Sequence, residues 1–195
     1  MAMSLLGGGL SAGEHHEDAL TVQEAELATM RRFGGSEQNM FVLQGNLAST
    51  YEYLGRVEEA LRLKRDVYTG FSRLFGEEHE NTFKAANNYA WGLLGARRFE
   101  EAKALMRKTI PVARRVLGEG NEHTLRMRFN YGKALYRADG ATLEDLRKAV
   151  TTLEDTERTA RRVLGGARPL TKSLGNALHQ SRAILADHET PPPSA

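Results

Sequence analysis

The 195-residue chain contains no cysteine. That excludes disulfides, thiolate nucleophiles and cysteine-liganded zinc, and it fits a cytoplasmic setting. Aromatic residues are scarce at 7%, and prolines number only five. Ala, Leu, Glu and Arg predominate instead, which favours helix over sheet. No uninterrupted apolar run approaches the roughly eighteen residues needed to span a bilayer, so no membrane association is expected. The opening "MAMSLLGGGLSAGEHHE" has a short apolar patch without a basic flank, which argues against a signal peptide. A strong charge of one sign is also missing. A net charge of +2 makes no general case for nucleic acid, but the charge is unevenly spread. Arg97 to Arg137 holds eleven Lys/Arg against four Asp/Glu, whereas Glu14 to Glu26 holds five acids and no Lys or Arg. The basic stretch reads either as solvated helix faces or as a surface for an acidic partner.

What the chain does contain is a repeat. "RLFGEEHENTF" (Arg73 to Phe83) returns as "RVLGEGNEHTL" (Arg115 to Leu125), with Gly76 and Gly118 forty-two residues apart. Asn46, Asn88 and Asn130 fall at the same step, as do Ala48, Ala90 and Gly132, and Ala60 and Ala102. Matches at several positions in one register define repeated structural units. Each unit reads as two helices. The first runs from about Thr82 to Leu94, with Ala86, Tyr89, Ala90 and Leu93 on one stripe. The second is "RFEEAKALMRKTIPVARRVLG", with Phe99, Ala102, Leu105, Met106, Thr109, Val112 and Val116 on one side. Gly118 stands where a left-handed C-cap belongs, and Asn81 or Thr82 can cap the following helix. Ala60 and Ala102 mark the closest approach of paired helices. Pro111, inside the second helix, removes a backbone hydrogen bond and predicts a kink.

The pattern extends outward. "HEDALTVQEAELATMRRFGG" matches a second helix, and Gly165 lies forty-seven residues beyond Gly118, so the third unit is longer. Thr142 and Asp145 form a capping-box pattern after the Asp139-Gly140 turn signal. "RPLTKSLGNALHQSRAILADHE" supplies a closing helix. The expected organisation is a flexible leader over residues 1–13, one helical repeat domain over 14–188, and a Pro-rich disordered tail over 189–195. The domain holds eight helices: one lone helix, three pairs and a closing helix.

Several apparent chemical motifs dissolve in this register. "HENTF" approaches the His-Glu-x-x-His zinc pattern, but Phe83 stands where the second ligand belongs. His15 and His16 are adjacent and point apart on a helix, so they read as a solvated helix start. Gly7 to Gly9 lack the downstream Gly-Lys-Ser/Thr of a phosphate loop. Glu58-Glu59 and Glu100-Glu101 are first-turn acids. No catalytic residue, metal site or cofactor is expected, and the protein is read as not an enzyme.

The small-residue pattern, the "GxxxEAL" type turn and the "LFGEEHENT" connector resemble the tetratricopeptide repeat, in the forty-two-residue form of kinesin light chains. Gly76, His79, Thr82, Asn87, Asn88 and Ala90 carry the resemblance over about Glu17 to Asp187. Glu80 and Asn121 depart from it, and nothing outside the repeats resembles the kinesin light chain coiled coil. The resemblance implies an all-α fold, a right-handed α-α superhelix of about three and a half to four helical hairpins. It also implies a concave groove lined by the first helices, which binds a protein or extended peptide.

In this register the groove-facing positions are Val42, Gly45, Ser49 and Glu52; Lys84, Asn87, Trp91 and Leu94; and Arg126, Phe129, Lys133 and Tyr136. The candidate peptide contacts are Lys84, Asn87, Asn88, Trp91, Arg126, Phe129, Asn130, Lys133 and Asn46. Asparagine can donate to and accept from a peptide backbone, or serve the neighbouring helix instead. Basic residues pair with carboxylates, and aromatics supply buried area, although Trp91 and Phe129 can equally pack between helices. The leading reading is a non-enzymatic scaffold or adaptor for an extended, acidic or mixed-charge peptide. Alternatives are a self-assembling solenoid module with open ends, a fragment of a larger multidomain protein, and, less favoured, an RNA-binding helical repeat.

Overall fold

The computed structural model describes residues 15–189; the leader expected at 1–13 lies outside the described residues, as does the tail expected at 189–195 except Glu189, which ends the last helix. The described residues form eight α-helices and no strand. They are α1 (His16–Phe33), α2 (Glu37–Tyr53), α3 (Val57–Phe75), α4 (Glu80–Gly95), α5 (Phe99–Leu117), α6 (Glu122–Arg137), α7 (Leu143–Leu164) and α8 (Pro169–Glu189). The eight helices expected from the repeat are all present, in the expected order. The chain packs as two compact units, one ending at Ala96 and the other beginning at Arg97.

In the first unit, α1, α2 and α3 share a core of Leu20, Leu27, Leu43, Leu47, Tyr51 and Ala60. Two polar bonds fix α1 against α2: Thr50 Oγ1 donates to Gln23 Oε1 at 2.9 Å and the Tyr51 hydroxyl to Glu24 Oε1 at 2.8 Å. Burial followed by this hydrogen bond pushes the Tyr51 hydroxyl pKa above its ordinary value. A second cluster joins Val67 and Phe71 of α3 to Ala85 of α4, with the Phe41 ring set edge-on to Phe71 at 5.3 Å. Glycine is required at position 70, where a Cβ would lie 2.2 Å from the Phe41 ring.

In the second unit, Met106, Leu125, Met127, Leu146, Leu153 and Leu174 are fully buried. Gly132 takes the position held by Ala48 and Ala90 in the earlier repeats; a Cβ there would meet Leu153 Cγ at 2.6 Å. The five extra residues of the third unit divide between two places. The α6–α7 loop, 138–142, is two residues longer than the α4–α5 loop, 96–98, and α7 has 22 residues against 19 in α5. Thr142 and Asp145 form the expected capping box.

The connectors differ from expectation in three respects. The residue capping α4 is His79, not Asn81 or Thr82: its Nδ1 accepts from the Asn81 N–H at 3.1 Å. Asn121, forty-two residues on, does the same for α6 by accepting from the His123 N–H at 2.9 Å. The departure of Asn121 from the family pattern therefore preserves a cap, since both side chains offer an acceptor at the same reach. The repeat glycines do not close in the left-handed helical region. Gly76, Gly118 and Gly165 have φ of 86°, 90° and 87° with ψ of 170°, 162° and 156°, a region open essentially to glycine alone. Thr82 is a latch instead of a cap. Its Oγ1 donates to the Gly76 carbonyl at 2.7 Å, and Thr171 repeats the bond to Gly165 at 2.9 Å. Thr124 Oγ1, buried at the equivalent place, has no partner among the described residues. Helix α5 includes Pro111 in its interior, as expected.

Candidate functional site

The first unit contains a cleft of about 550 Å³ formed by α2, α3 and α4. Helical spacing places Gly45, Ser49 and Glu52 on one face of α2, and Asn88, Trp91, Gly92 and Gly95 on one face of α4. Helix α3 supplies Val57, Lys64 and Val67. Tyr53 and Trp91, 68% and 48% exposed, are the aromatic walls. Asn88 is exposed beside them, while the Ser49 hydroxyl donates to the Gly45 carbonyl at 3.3 Å.

At the cleft base, the Lys64 ammonium is hydrogen-bonded to Glu52 Oε1. Lys64 is 5% exposed, whereas the Glu52 side chain is 31% exposed. Burial pushes the Lys64 pKa down, and the Glu52 carboxylate opposes that shift without overcoming it. Gly92 makes room for the lysine stem: a Cβ there would sit 3.0 Å from Lys64 Cδ. The lining thus offers two aromatic faces, an amide, and an ion pair of which one member reaches solvent.

The residues singled out from the sequence are placed as follows. Asn88 and Trp91 line this cleft. Lys84 is exposed on α4 and pairs with Glu80 at 2.7 Å; Asn87 is half-buried. Asn46 is exposed on α2 outside the cleft lining. In the second unit, Arg126 is exposed and pairs with Glu122 at 2.6 Å, which holds that carboxyl below its ordinary pKa. Phe129 is half-buried with Lys133 Nζ 5.3 Å from its ring centre. Burial, and then the nearby Arg137 charge, lowers the Lys133 pKa.

Three of the groove assignments are corrected. Asn130 is only 2% exposed, so it is turned into the packing, unlike Asn46 and Asn88. Leu94 and Tyr136 are buried too, and the Tyr136 hydroxyl donates to Gln180 Oε1 at 2.9 Å.

Lys64, Tyr53 and Val57 were missed, because attention to first helices leaves out what α3 and the end of α2 contribute. A signal was present. Ala60, Leu61, Lys64, Val67 and Phe71 form the buried stripe of α3, and a lysine in the middle of such a stripe is rarely buried without a partner.

The comparisons with known proteins agree with this architecture. Residues 39–114 match the tetratricopeptide repeat family model. No curated protein sequence matches the chain. Among solved structures, the chain is similar to a kinesin light chain-type protein of Podosopora anserina with nearly identical TPR-like repeats. That protein superposes with a TM-score of 0.71 at 18% identity, covering 97% of this chain and 96% of that one. A point variant of it superposes with a TM-score of 0.73 at the same 18% identity, covering 96% and 95%. BtubC (BKLC) from P. vanneervenii superposes with a TM-score of 0.59 at 15% identity, covering 99% and 82%. At these identities the likeness is one of fold. Residues 39–114 are tetratricopeptide repeats, and the chain shares its all-α fold with kinesin light chain-like repeat proteins.

Proposed function

We propose that the chain is a non-enzymatic protein-interaction scaffold whose α2–α3–α4 cleft receives a side chain from an extended segment of a partner protein. The observation that carries this reading is the cleft itself. It falls within the size range of ligand sites, has exposed aromatic walls, and keeps a polar pair at its base. Exposed tryptophan and tyrosine in a concave site are the residues that most often dominate protein interfaces. Asn88 adds an amide able to bond a peptide backbone in both directions.

The preferred segment is acidic or of mixed charge. Lys84 on α4 and Arg126 on α6 are both held only by exposed one-turn pairs, which are weak enough to exchange for a partner's carboxylate. In the second unit, Phe129 and Lys133 stand on the same helix as Arg126 and offer an apolar and a cationic contact of their own.

Trp91 is the only tryptophan in the chain, so its fluorescence reports directly on the cleft. Partners captured by the wild-type chain are expected to shift Trp91 emission. Capture should fall at least about tenfold in a Lys84→Glu, Arg126→Glu double variant of unchanged helicity, if each lost charged contact is worth about 1 kcal/mol. Capture that is unaffected by the double variant and silent at Trp91 would remove this reading.

A further inference from the structure

The second unit carries a different site. Helices α5, α6 and α7 enclose a cleft of about 360 Å³, none of whose lining residues belongs to the Trp91 cleft. Four cations line it: Arg107 and Arg114 from α5, Arg128 from α6 and Lys148 from α7. No lining residue is acidic. At the edge, Glu119 bonds Arg114 and reaches Arg128 at 3.3 Å, and Asp155 acts on Arg128 electrostatically.

Arg107 and Lys148 have no carboxylate within ion-pairing distance among the described residues; the lysine instead has its Nζ 5.7 Å from the Tyr131 ring centre. The carboxylates of the adjoining cleft, Glu100 and Asp145, lie 2.6 and 3.7 Å from Lys103, with Glu144 also lining that cleft. Arg107 and Lys148 border both clefts, and in this one cations from three helices meet without an acidic lining residue. Like charges held around a concave site focus a positive potential into it. Burial lowers the pKa of Arg128, whose side chain is only 15% exposed; Glu119 opposes that shift and the Arg114 charge adds to it. The apolar part of the lining, Met106, Ile110 and Pro111, lies on α5 beside Arg107 and Arg114. Pro111 lacks an N–H to donate along α5, and here it presents a rigid ring to the cleft.

We propose that this cleft binds an organic phosphate monoester, its phosphate held between Arg107 and Lys148 with Arg128 behind, and its organic part against Ile110 and Pro111. A phosphate suits the site better than a single carboxylate. It brings nearly two negative charges and three acceptor oxygens, and planar guanidinium groups bind it through paired hydrogen bonds. The apolar wall favours an ester over the inorganic ion.

The test is calorimetric titration of the full chain with phenyl phosphate at low ionic strength, where screening is weakest. Saturable one-site binding is expected. It should weaken at least about tenfold in Arg107→Ala, Lys148→Ala, whose two positions are exposed, by loss of two charge-assisted contacts. Arg73→Ala, in the first unit, should bind as the wild type does. Inorganic phosphate should bind more weakly than phenyl phosphate. The proposal is overturned if the wild-type chain shows no saturable binding, or if the double variant, with unchanged melting, binds equally well. Citrate binding as tightly as phenyl phosphate would overturn the phosphate assignment, and tighter binding of inorganic phosphate would overturn the ester.

Discussion

Lys64 joins packing to recognition at a single residue. Its methylene stem fills the space left by Gly92, while its ammonium holds Glu52 in place at the cleft base. Glu52 reaches water, so loss of the ammonium leaves no stranded buried charge. Lys64→Met is therefore expected to change stability by no more than about 1 kcal/mol. Lys64→Ala, which also removes the stem, should cost about 2 kcal/mol or more. Urea denaturation distinguishes the two.

The pH dependence carries a sign. Burial lowers the Lys64 pKa from the ordinary 10.5, so between the lowered value and 10.5 the unfolded chain binds more protons. In that window the residue's contribution rises with pH, and it is lost as pH falls through the lowered value. The wild type minus Lys64→Met difference should show that slope, free of the tyrosines that titrate nearby. Of the candidate contacts, Asn88 and Trp91 line the cleft, and the register supplied by the repeat resemblance had put them on one face of α4. Lys64 was not legible in this way, since its meaning depends on Gly92 and Glu52, which belong to two other helices.

Among the elements, the helix starts are the most telling. His79 and Asn121 stand forty-two residues apart and cap α4 and α6 through side-chain acceptors of different chemistry. Asn121→Ala should destabilise the chain by about 1 kcal/mol, and Asn121→His should restore most of it. Thermal melts of the two variants check this; equal losses would mean that the side-chain acceptor is not what matters.

Helix number, helix order and the lengthened third unit were all readable from the repeat, because a period and a hydrophobic stripe constrain element order strongly. Sequence alone places the starts two or three residues late. A histidine is an unusual cap, and Thr82 has the composition of a cap while making a different bond. Helix α5 continues through Pro111, which is exposed beside the buried Met106 in the lining of the second-unit cleft.

At the scale of the molecule, packing within each unit is sequential. Within the first unit α1 packs on α2, α2 on α3 and α3 on α4; within the second, α5 packs on α6, α6 on α7, and α8 on both α7 and α6. Such local, neighbour-to-neighbour contact makes stability a sum of repeat and interface terms. The two ends are not equivalent. Helix α1 rests chiefly on α2, whereas α8 rests on two helices and is tied further by Arg147 to Glu189 at 2.8 Å. Amide hydrogen exchange should therefore open α1 before α8. The reverse order would show that the α1–α2 polar bonds outweigh the second neighbour of α8.

The connectors lead to one last consequence. Thr82 and Thr171 are latched to the glycine carbonyls that precede them, while Thr124 is equally buried and has no such bond. A single chain thus holds a treated sample and its blank, under one solvent and at one temperature. The worth of a buried hydroxyl–carbonyl bond, which elsewhere must be inferred between different proteins, becomes a calibration the molecule carries within itself.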